Sequence, residues 1–149
     1  MRWKYSSTSM FKLKSCDARL QMVAHVALLL SEVDITVVEG HRSSLEQQKL
    51  FAQGRSEPGN IVTYADGANV KSKHNYKPSQ AIDLAPYVTG KGIVWDLSEN
   101  LDKWIALNDA VQEAAKITAV PIEWGGDWKS FKDYPHYQLA EDNHQWIKK

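Results

Sequence analysis

Residues 17–32 form the segment that most constrains the fold of this chain. Apolar residues recur there at helical spacing along one face, at Leu20, Val23, Ala27 and Leu30, and along a second face, at Met22, Val26 and Leu29. A helix that is apolar around much of its circumference is stable only when other elements cover it. We therefore expect a buried helix around which the rest of the chain packs.

The remaining patterns mix strands with helices. Short β-branched or alternating runs predict strands at residues 35–38, 80–88 and 134–139. Ser43 with Glu46, and Asp96 with Glu99, have capping-box spacing and predict helices over residues 44–53 and from 96 to about 118. The second of these should bury one side, made of Leu101, Trp104, Ile105, Val111 and Ala115. Such mixing is typical of the α+β class.

Residues 55–73 have no clear period and contain Pro58, Gly59 and Gly67, so they are expected to form a long surface loop. Loops of that length are uncommon in compact domains and are often functional. The total of 149 residues fits one domain spanning 1–149.

Charge and composition exclude several classes of protein. The 18 basic and 18 acidic residues cancel, whereas nucleic-acid-binding domains usually carry a basic excess. The longest apolar run, residues 22–30, is too short to span a bilayer and starts too far along for an ordinary signal peptide. The single cysteine, Cys16, excludes an intrachain disulfide and is expected to be buried and inert. We expect a monomer made in the cytoplasm, without integral membrane association.

Asp83 stands out among the residues that can do chemistry. It lies inside a predicted strand beside Ile82, Leu84 and Ala85, where an ionised carboxylate would lose its hydration. It must be paired with a cation, hydrogen-bonded to backbone amides or bound to a metal.

Two histidines lie where loops meet strands, and they extend this group. His74 ends the long loop and His136 follows Pro135, so together with Asp83 they supply two imidazoles and one carboxylate. This ligand set is typical of catalytic zinc with an open fourth position for water, although iron or manganese can use it too. Asp133, three residues before His136, is either a general base or a solvated turn residue.

The order of these motifs resembles a known signature. Ser72-x-His74, Ala81-x-Asp83 and Asp133-x-x-His136 are similar, in this order, to the blocks of the zinc D-Ala-D-Ala carboxypeptidase family. That family includes dipeptidases, carboxypeptidases and phage endolysins that cut the L-alanyl-D-glutamate bond of peptidoglycan. Residues 40–43 with Gln47 and Gln48 resemble its upstream block, so the match runs from about residue 38 to 138. It implies a small fold, with a short antiparallel sheet flanked by helices, of the kind shared with hedgehog-like domains.

The resemblance implies a role for each matching residue. The metal ligands would be His74, Asp83 and His136, holding one Zn²⁺ per chain. Asp133 matches the acid/base, with Asp127 as the reserve candidate. Arg42 matches an arginine that holds the scissile carbonyl and stabilises its developing negative charge. A substrate contact is implied for Ser72. Trp124 and Trp128 either line the peptide groove or pack in the core, and of the two we expect Trp128 to contact substrate.

One spacing departs from the family pattern. Asp83 follows His74 by nine positions, about two more than the family's usual offset, an insertion that a loop accommodates at small entropic cost. The family's glycine between these ligands is absent here, and Pro78 is the expected turn residue. His25 and His144, outside the matching blocks, are expected to be structural or solvated.

The small size, Asp133 and the Trp- and Gly-rich run at residues 124–128 favour the endolysin branch. We therefore expect a zinc peptidase that hydrolyses the L-Ala–D-Glu bond of peptidoglycan stem peptides and reaches the wall from the host cytoplasm through a membrane lesion. One alternative is a D-Ala-D-Ala carboxypeptidase or dipeptidase, which needs a cation such as Arg55 or Lys71 for the terminal carboxylate. A more distant alternative is a non-catalytic module that binds wall peptides.

Overall fold

The computed structural model of the chain describes residues 2–140. The four α-helices are α1 (Ser7–Leu13), α2 (Ala18–Leu30), α3 (Ser44–Ala52) and α4 (Leu97–Thr118). The five strands are β1 (Asp34–Glu39), β2 (Ala81–Val88), β3 (Gly92–Ile93), β4 (Ile122–Trp124) and β5 (His136–Leu139). They form one antiparallel sheet in the order β1-β2-β5-β4, with β3 paired to the end of β2. The expected α+β class with a short antiparallel sheet is confirmed.

The local sequence signals place the longer elements correctly. Ser43 and Glu46 form both hydrogen bonds of the predicted capping box at the start of α3, and Asp96 caps α4 through the Ser98 N–H. The sequence patterns predict neither α1 nor the strands β3 and β4. These elements have seven, two and three residues, too few to establish a period.

Burial of the two long helices differs from the expectation. In α2 the first predicted face is largely buried, but Met22 and Leu29 are exposed, as is Leu30 at the helix end. In α4 the expected Leu101 and Ile105 are exposed as well. The two helices pack against each other and α4 also contacts β2. Helix α2 therefore buries one stripe instead of both predicted faces, and the buried stripe of α4 leaves out two residues of the predicted side. The buried stripe of α4 consists of Trp104, Leu107, Ala110, Val111, Ala114 and Ala115.

The pleat of the sheet separates the core from the candidate site. Ile82 lies opposite Tyr137, and both side chains belong to the hydrophobic cluster with Leu84. Because successive side chains point to opposite faces of a strand, Asp83 and its cross-strand partner His136 point away from that cluster. A one-residue slip of either strand would therefore turn its candidate ligand towards the core.

Within residues 2–140, no helix is both long enough and apolar enough to cross a membrane. His25 is an exposed α2 residue whose ring lies edge-on against Tyr5, with 5.8 Å between centroids. His144 lies outside the described residues.

Candidate active site

Three predicted metal ligands converge from three segments of the chain. Asp83 comes from the central strand β2, His136 from the first position of β5, and His74 from a 3₁₀ turn, Lys73–Asn75. Asp83 Oδ1 lies 3.1 Å from His74 Nε2 and 3.2 Å from His136 Nδ1, and the two nitrogens are 3.3 Å apart. The three residues therefore form a group able to hold a metal ion.

Hydrogen bonds at the far side of each ring determine which nitrogen carries the proton. His74 Nδ1 lies 2.7 Å from the Gly40 carbonyl oxygen, which can only accept, so Nδ1–H is the donor. His136 Nε2 likewise donates to Gln138 Oε1 at 2.8 Å. In the neutral form of each ring, the nitrogen that faces Asp83 is consequently unprotonated. Metal-binding histidines are typically held in this way by an acceptor behind the ring.

The resulting geometry fits a small tetrahedral cation. Three lone-pair atoms at 3.1–3.3 Å repel one another unless a proton or a metal lies between them. Ligands about 2.0–2.1 Å from a tetrahedral Zn²⁺ lie roughly 3.3 Å apart, close to these separations. Burial alone would raise the pKa of Asp83, but without a metal the charges and hydrogen bonds of protonated His74 and His136 lower it well below its ordinary value. The carboxylate is thus kept ionised, as a metal ligand must be.

Asp133 lies beside this group without belonging to it. One of its carboxylate oxygens is 4.0 Å from His136 Nδ1, and its side chain keeps 41% of its exposure. Burial and then the charge of Asp83 raise the pKa of Asp133 above its ordinary value. A carboxyl group with a raised pKa at the edge of a metal site is suited to exchanging protons.

A close backbone contact fixes the position of Asp133. Its N–H donates to the Gly125 carbonyl at 3.0 Å, and its own carbonyl accepts from the His136 N–H at 3.2 Å. A Cβ atom on Gly125 would lie 2.4 Å from the Asp133 carbonyl oxygen and 3.1 Å from His136 Cβ. Gly125 therefore permits an approach that a side chain would prevent.

Arg42 lies on the other side of Asp83 and is held by its neighbours. Its guanidinium donates to Gln47 Oε1 at 2.9 Å and to Glu39 Oε2 at 3.4 Å, and it lies 4.0 Å from Asp83 Oδ2. Gln47 is fully buried and also donates to Thr63 Oγ1 and to the Ala65 carbonyl. Gln47 thus connects Arg42 to the long loop, and the guanidinium is fixed beside the candidate metal ligands.

A cavity of about 650 Å³ opens over these groups. The long loop, residues 53–72, forms one wall, and the segment 128–133 forms the other. Trp128 lines the cavity with its ring 5.2 Å from the His136 ring, while its Nε1 donates to Glu123. Ser72 also lines it, although its Oγ accepts from the His74 N–H and so caps the 3₁₀ turn. Both predicted substrate-contact residues therefore lie at the cavity.

Several alternatives left open by the sequence lie away from the cavity lining. Trp124 packs against the hydrophobic cluster, stacking on Tyr137, so of the two tryptophans only Trp128 lines the cavity. Asp127 is exposed and does not line the cavity, whereas Asp133 does. Arg55 lies 3.8 Å over the Phe51 ring and donates to the backbone carbonyls of Phe51 in α3 and of Thr63 in the long loop.

Two further features match or extend the sequence analysis. Cys16 is buried as expected, and burial raises the pKa of its thiol to about 12. Gln138, behind His136, was not predicted as a site residue. The strand period could have indicated it, because Gln138 is two positions beyond His136 and so lies on the same face of β5.

Comparisons with known proteins show which family this chain is similar to. The family model described as phage L-alanyl-D-glutamate peptidase matches residues 1–144. The peptidoglycan L-alanyl-D-glutamate endopeptidase CwlK of Bacillus subtilis is 43% identical over 112 residues, covering 72% of this chain and 61% of that protein. This chain thus spans less than two thirds of the length of CwlK.

A second relative and a solved structure cover more of their own lengths. The L-alanyl-D-glutamate peptidase of Escherichia phage T5 is 33% identical over 137 residues, covering 90% of this chain and 88% of that protein. The crystal structure of the L-Ala D-Glu endopeptidase ChiX from Serratia marcescens superposes with a TM-score of 0.73 at 27% identity, covering 95% of this chain and 93% of ChiX. The resemblance seen in the motifs is confirmed, and the chain belongs to the phage L-alanyl-D-glutamate peptidase family.

Proposed function

We propose that this protein is a zinc-dependent peptidoglycan hydrolase that cuts the L-Ala–D-Glu bond of stem peptides, acting on the cell wall as an endolysin does. The observation that carries the proposal is the convergence of three potential metal-ligand atoms in one cavity whose lining also includes Asp133 and Arg42. The family and the printed activities of its relatives support the choice of bond.

In the proposed site His74, Asp83 and His136 would hold Zn²⁺. When bound there, the metal would supply Lewis acidity, which lowers the pKa of water and polarises a carbonyl. A catalytic zinc fits this set better than a structural zinc, because the three residues line the cavity and structural zinc usually has four protein ligands.

Asp133 is proposed as the general base and then the general acid. It takes a proton from the attacking water and delivers it to the leaving nitrogen of D-Glu, so that no free amide anion forms. Its raised pKa suits both transfers, because the group accepts the proton more readily than an ordinary aspartate and still releases it. It also lines the cavity, whereas Asp127 does not.

Arg42 is proposed to stabilise negative charge on the scissile carbonyl oxygen. Its side chain is only 13% exposed and is already oriented by Gln47 and Glu39. A guanidinium fixed before the reaction needs no reorganisation as charge develops on the carbonyl. Ser72 and Trp128 are proposed to contact the peptide along the cavity walls.

The test combines metal content with products. We expect one zinc per chain in the wild type and in Asp133→Ala, none in His136→Ala, and wall-lytic activity in the wild type alone. Digestion of purified peptidoglycan should yield new N-terminal D-Glu. Released D-Ala would assign the protein to the D-Ala-D-Ala alternative. A wild type that binds wall fragments without cleaving them, even with added zinc, would refute the peptidase proposal.

A further inference from the structure

The chemistry of the proposed substrate places a negative charge beside the bond to be cut. In a stem peptide the D-glutamate continues the chain through its γ-carboxyl group, so its α-carboxylate is free. The carbon that bears this carboxylate also bears the scissile nitrogen. A site that cuts the L-Ala–D-Glu bond must therefore accommodate an anion very near its catalytic groups.

The acidic groups of the site oppose this anion. Asp83 and Asp133 both line the cavity, and the Asp133 carboxylate remains 41% exposed although the charges of His136, His74 and Arg42 partly offset its own. Arg42 itself is engaged by Gln47 and Glu39 and is proposed to act on the carbonyl. A further cation on the leaving side would pair directly with the substrate carboxylate, which Asp133 repels.

Lys71 fits this role. It is exposed, lines the cavity and precedes the ligand His74 by three residues. Its ammonium lies 5.4 Å from the centroid of the Tyr76 ring, a cation–π contact that restrains the side chain and leaves its N–H donors available. Among the contacts of residues 2–140, Lys71 makes no ion pair with an acidic side chain.

The loop before Lys71 is ordered by its own hydrogen bonds. Asp66 Oδ1 accepts from the N–H groups of Ala68, Asn69 and Val70 at 2.8–2.9 Å. Gly67, at φ +83°, lies where a Cβ atom would come within 2.9 Å of Gln47 Cβ, so this turn is packed against α3. Gln47 also holds Arg42, so the turn before Lys71 and the Arg42 guanidinium contact the same buried residue.

We propose that Lys71 binds the free α-carboxylate of the D-glutamate on the leaving side of the scissile bond, and so makes this chain selective for stem peptides in which that carboxylate is not amidated. The proposal rests on the function proposed above and names the substrate feature that the site distinguishes. The isosteric amide, D-isoglutamine, lacks the charge and should be a poorer substrate.

The experiment compares two stem peptides, identical except for D-Glu or D-isoglutamine, with the wild type, Lys71→Met, Lys71→Arg and the exposed-lysine control Lys91→Met. The wild type and the control should prefer the D-Glu peptide by about tenfold in kcat/KM, the size expected for a hydrogen bond to a charged group. Lys71→Met should lose this preference by becoming slower on the D-Glu peptide alone, and Lys71→Arg should restore part of it. Added salt should weaken the preference of the wild type.

The outcomes separate the two proposals. Equal losses on both peptides in Lys71→Met, or a wild type without preference, would overturn the role of Lys71 and leave the peptidase proposal intact. Failure of the metal-loaded wild type to cut either peptide would overturn the proposed function and this inference with it. Metal content and thermal midpoint, which an exposed lysine should not affect, confirm that each variant is folded and loaded.

Discussion

Gly125→Ala offers a direct test of how closely the site is built. The new Cβ atom would lie 2.4 Å from the Asp133 carbonyl oxygen, while ordinary contacts begin at 3.4 Å. Asp133 and His136 must therefore shift by up to about 1 Å, and a displacement of that size at a catalytic group costs about 10²-fold in rate. This corresponds to about 2.7 kcal/mol in the activation free energy.

The assay is kcat/KM on a soluble stem peptide, measured together with zinc content and thermal midpoint. The control is Gly90→Ala, because nothing lies within 4 Å of its added Cβ atom, so this variant introduces the backbone strain of a positive φ, +86°, without a clash. That control should lose about 1 kcal/mol of stability from backbone strain and keep its activity.

A Gly125→Ala variant that is folded, binds zinc and stays within about threefold of the wild-type kcat/KM would refute the predicted effect of displacing Asp133. Such a result would mean that Asp133 tolerates displacement, or that it is not the group that transfers the proton. Loss of activity in both glycine variants would instead indicate a general effect of destabilisation.

Three other perturbations give separate expected results. Gln138→Met removes the acceptor behind His136, so the zinc dissociation constant measured by competition with a chelator should rise about ten- to a hundredfold; an unchanged constant would show that Gln138 does not orient the ring. Gln47→Leu leaves Arg42 and the long loop without their shared partner. Urea denaturation should show that the free energy of unfolding falls by about 1–3 kcal/mol, and kcat should fall as well. An unchanged free energy of unfolding would contradict the buried connection. Cys16 should resist a thiol reagent at pH 8 in the folded protein and react fully in denaturant, because burial raises its pKa to about 12; rapid native labelling would contradict that burial.

The features of the sequence that act locally predicted the structure well. The capping residues Ser43 and Asp96 place two helix starts, and the carboxylate of Asp83 in an apolar strand indicates a buried polar site. The resemblance in motif order then identified His74 and His136 as its partners, and the structure brings the three together.

The features that depend on distant segments could not be predicted in this way. The backbone carbonyl of Gly40 orients His74, which lies 34 positions further along the chain. Every residue has such a carbonyl, so the residue type at position 40 does not indicate this contact. The apolar Leu101 and Ile105 were expected in the core but are exposed, because the packing angle of α4 against α2 decides which stripe is buried. The sequence also could not decide between Arg55 and Lys71 as the residue that reaches the cavity, since that depends on the path of the long loop.

The pairing of Asp83 with His136 across β2 and β5 links metal supply to the lifetime of the protein. These ligands and His74 are up to 62 positions apart and meet only when the sheet is formed, so a metal that binds them stabilises the folded chain and not the unfolded one. At a free zinc concentration a hundredfold above the dissociation constant, this linkage would contribute about 2.7 kcal/mol. The thermal midpoint should rise with zinc and fall with a chelator. Zinc-poor surroundings would then favour proteolysis of the chain as well as loss of its activity.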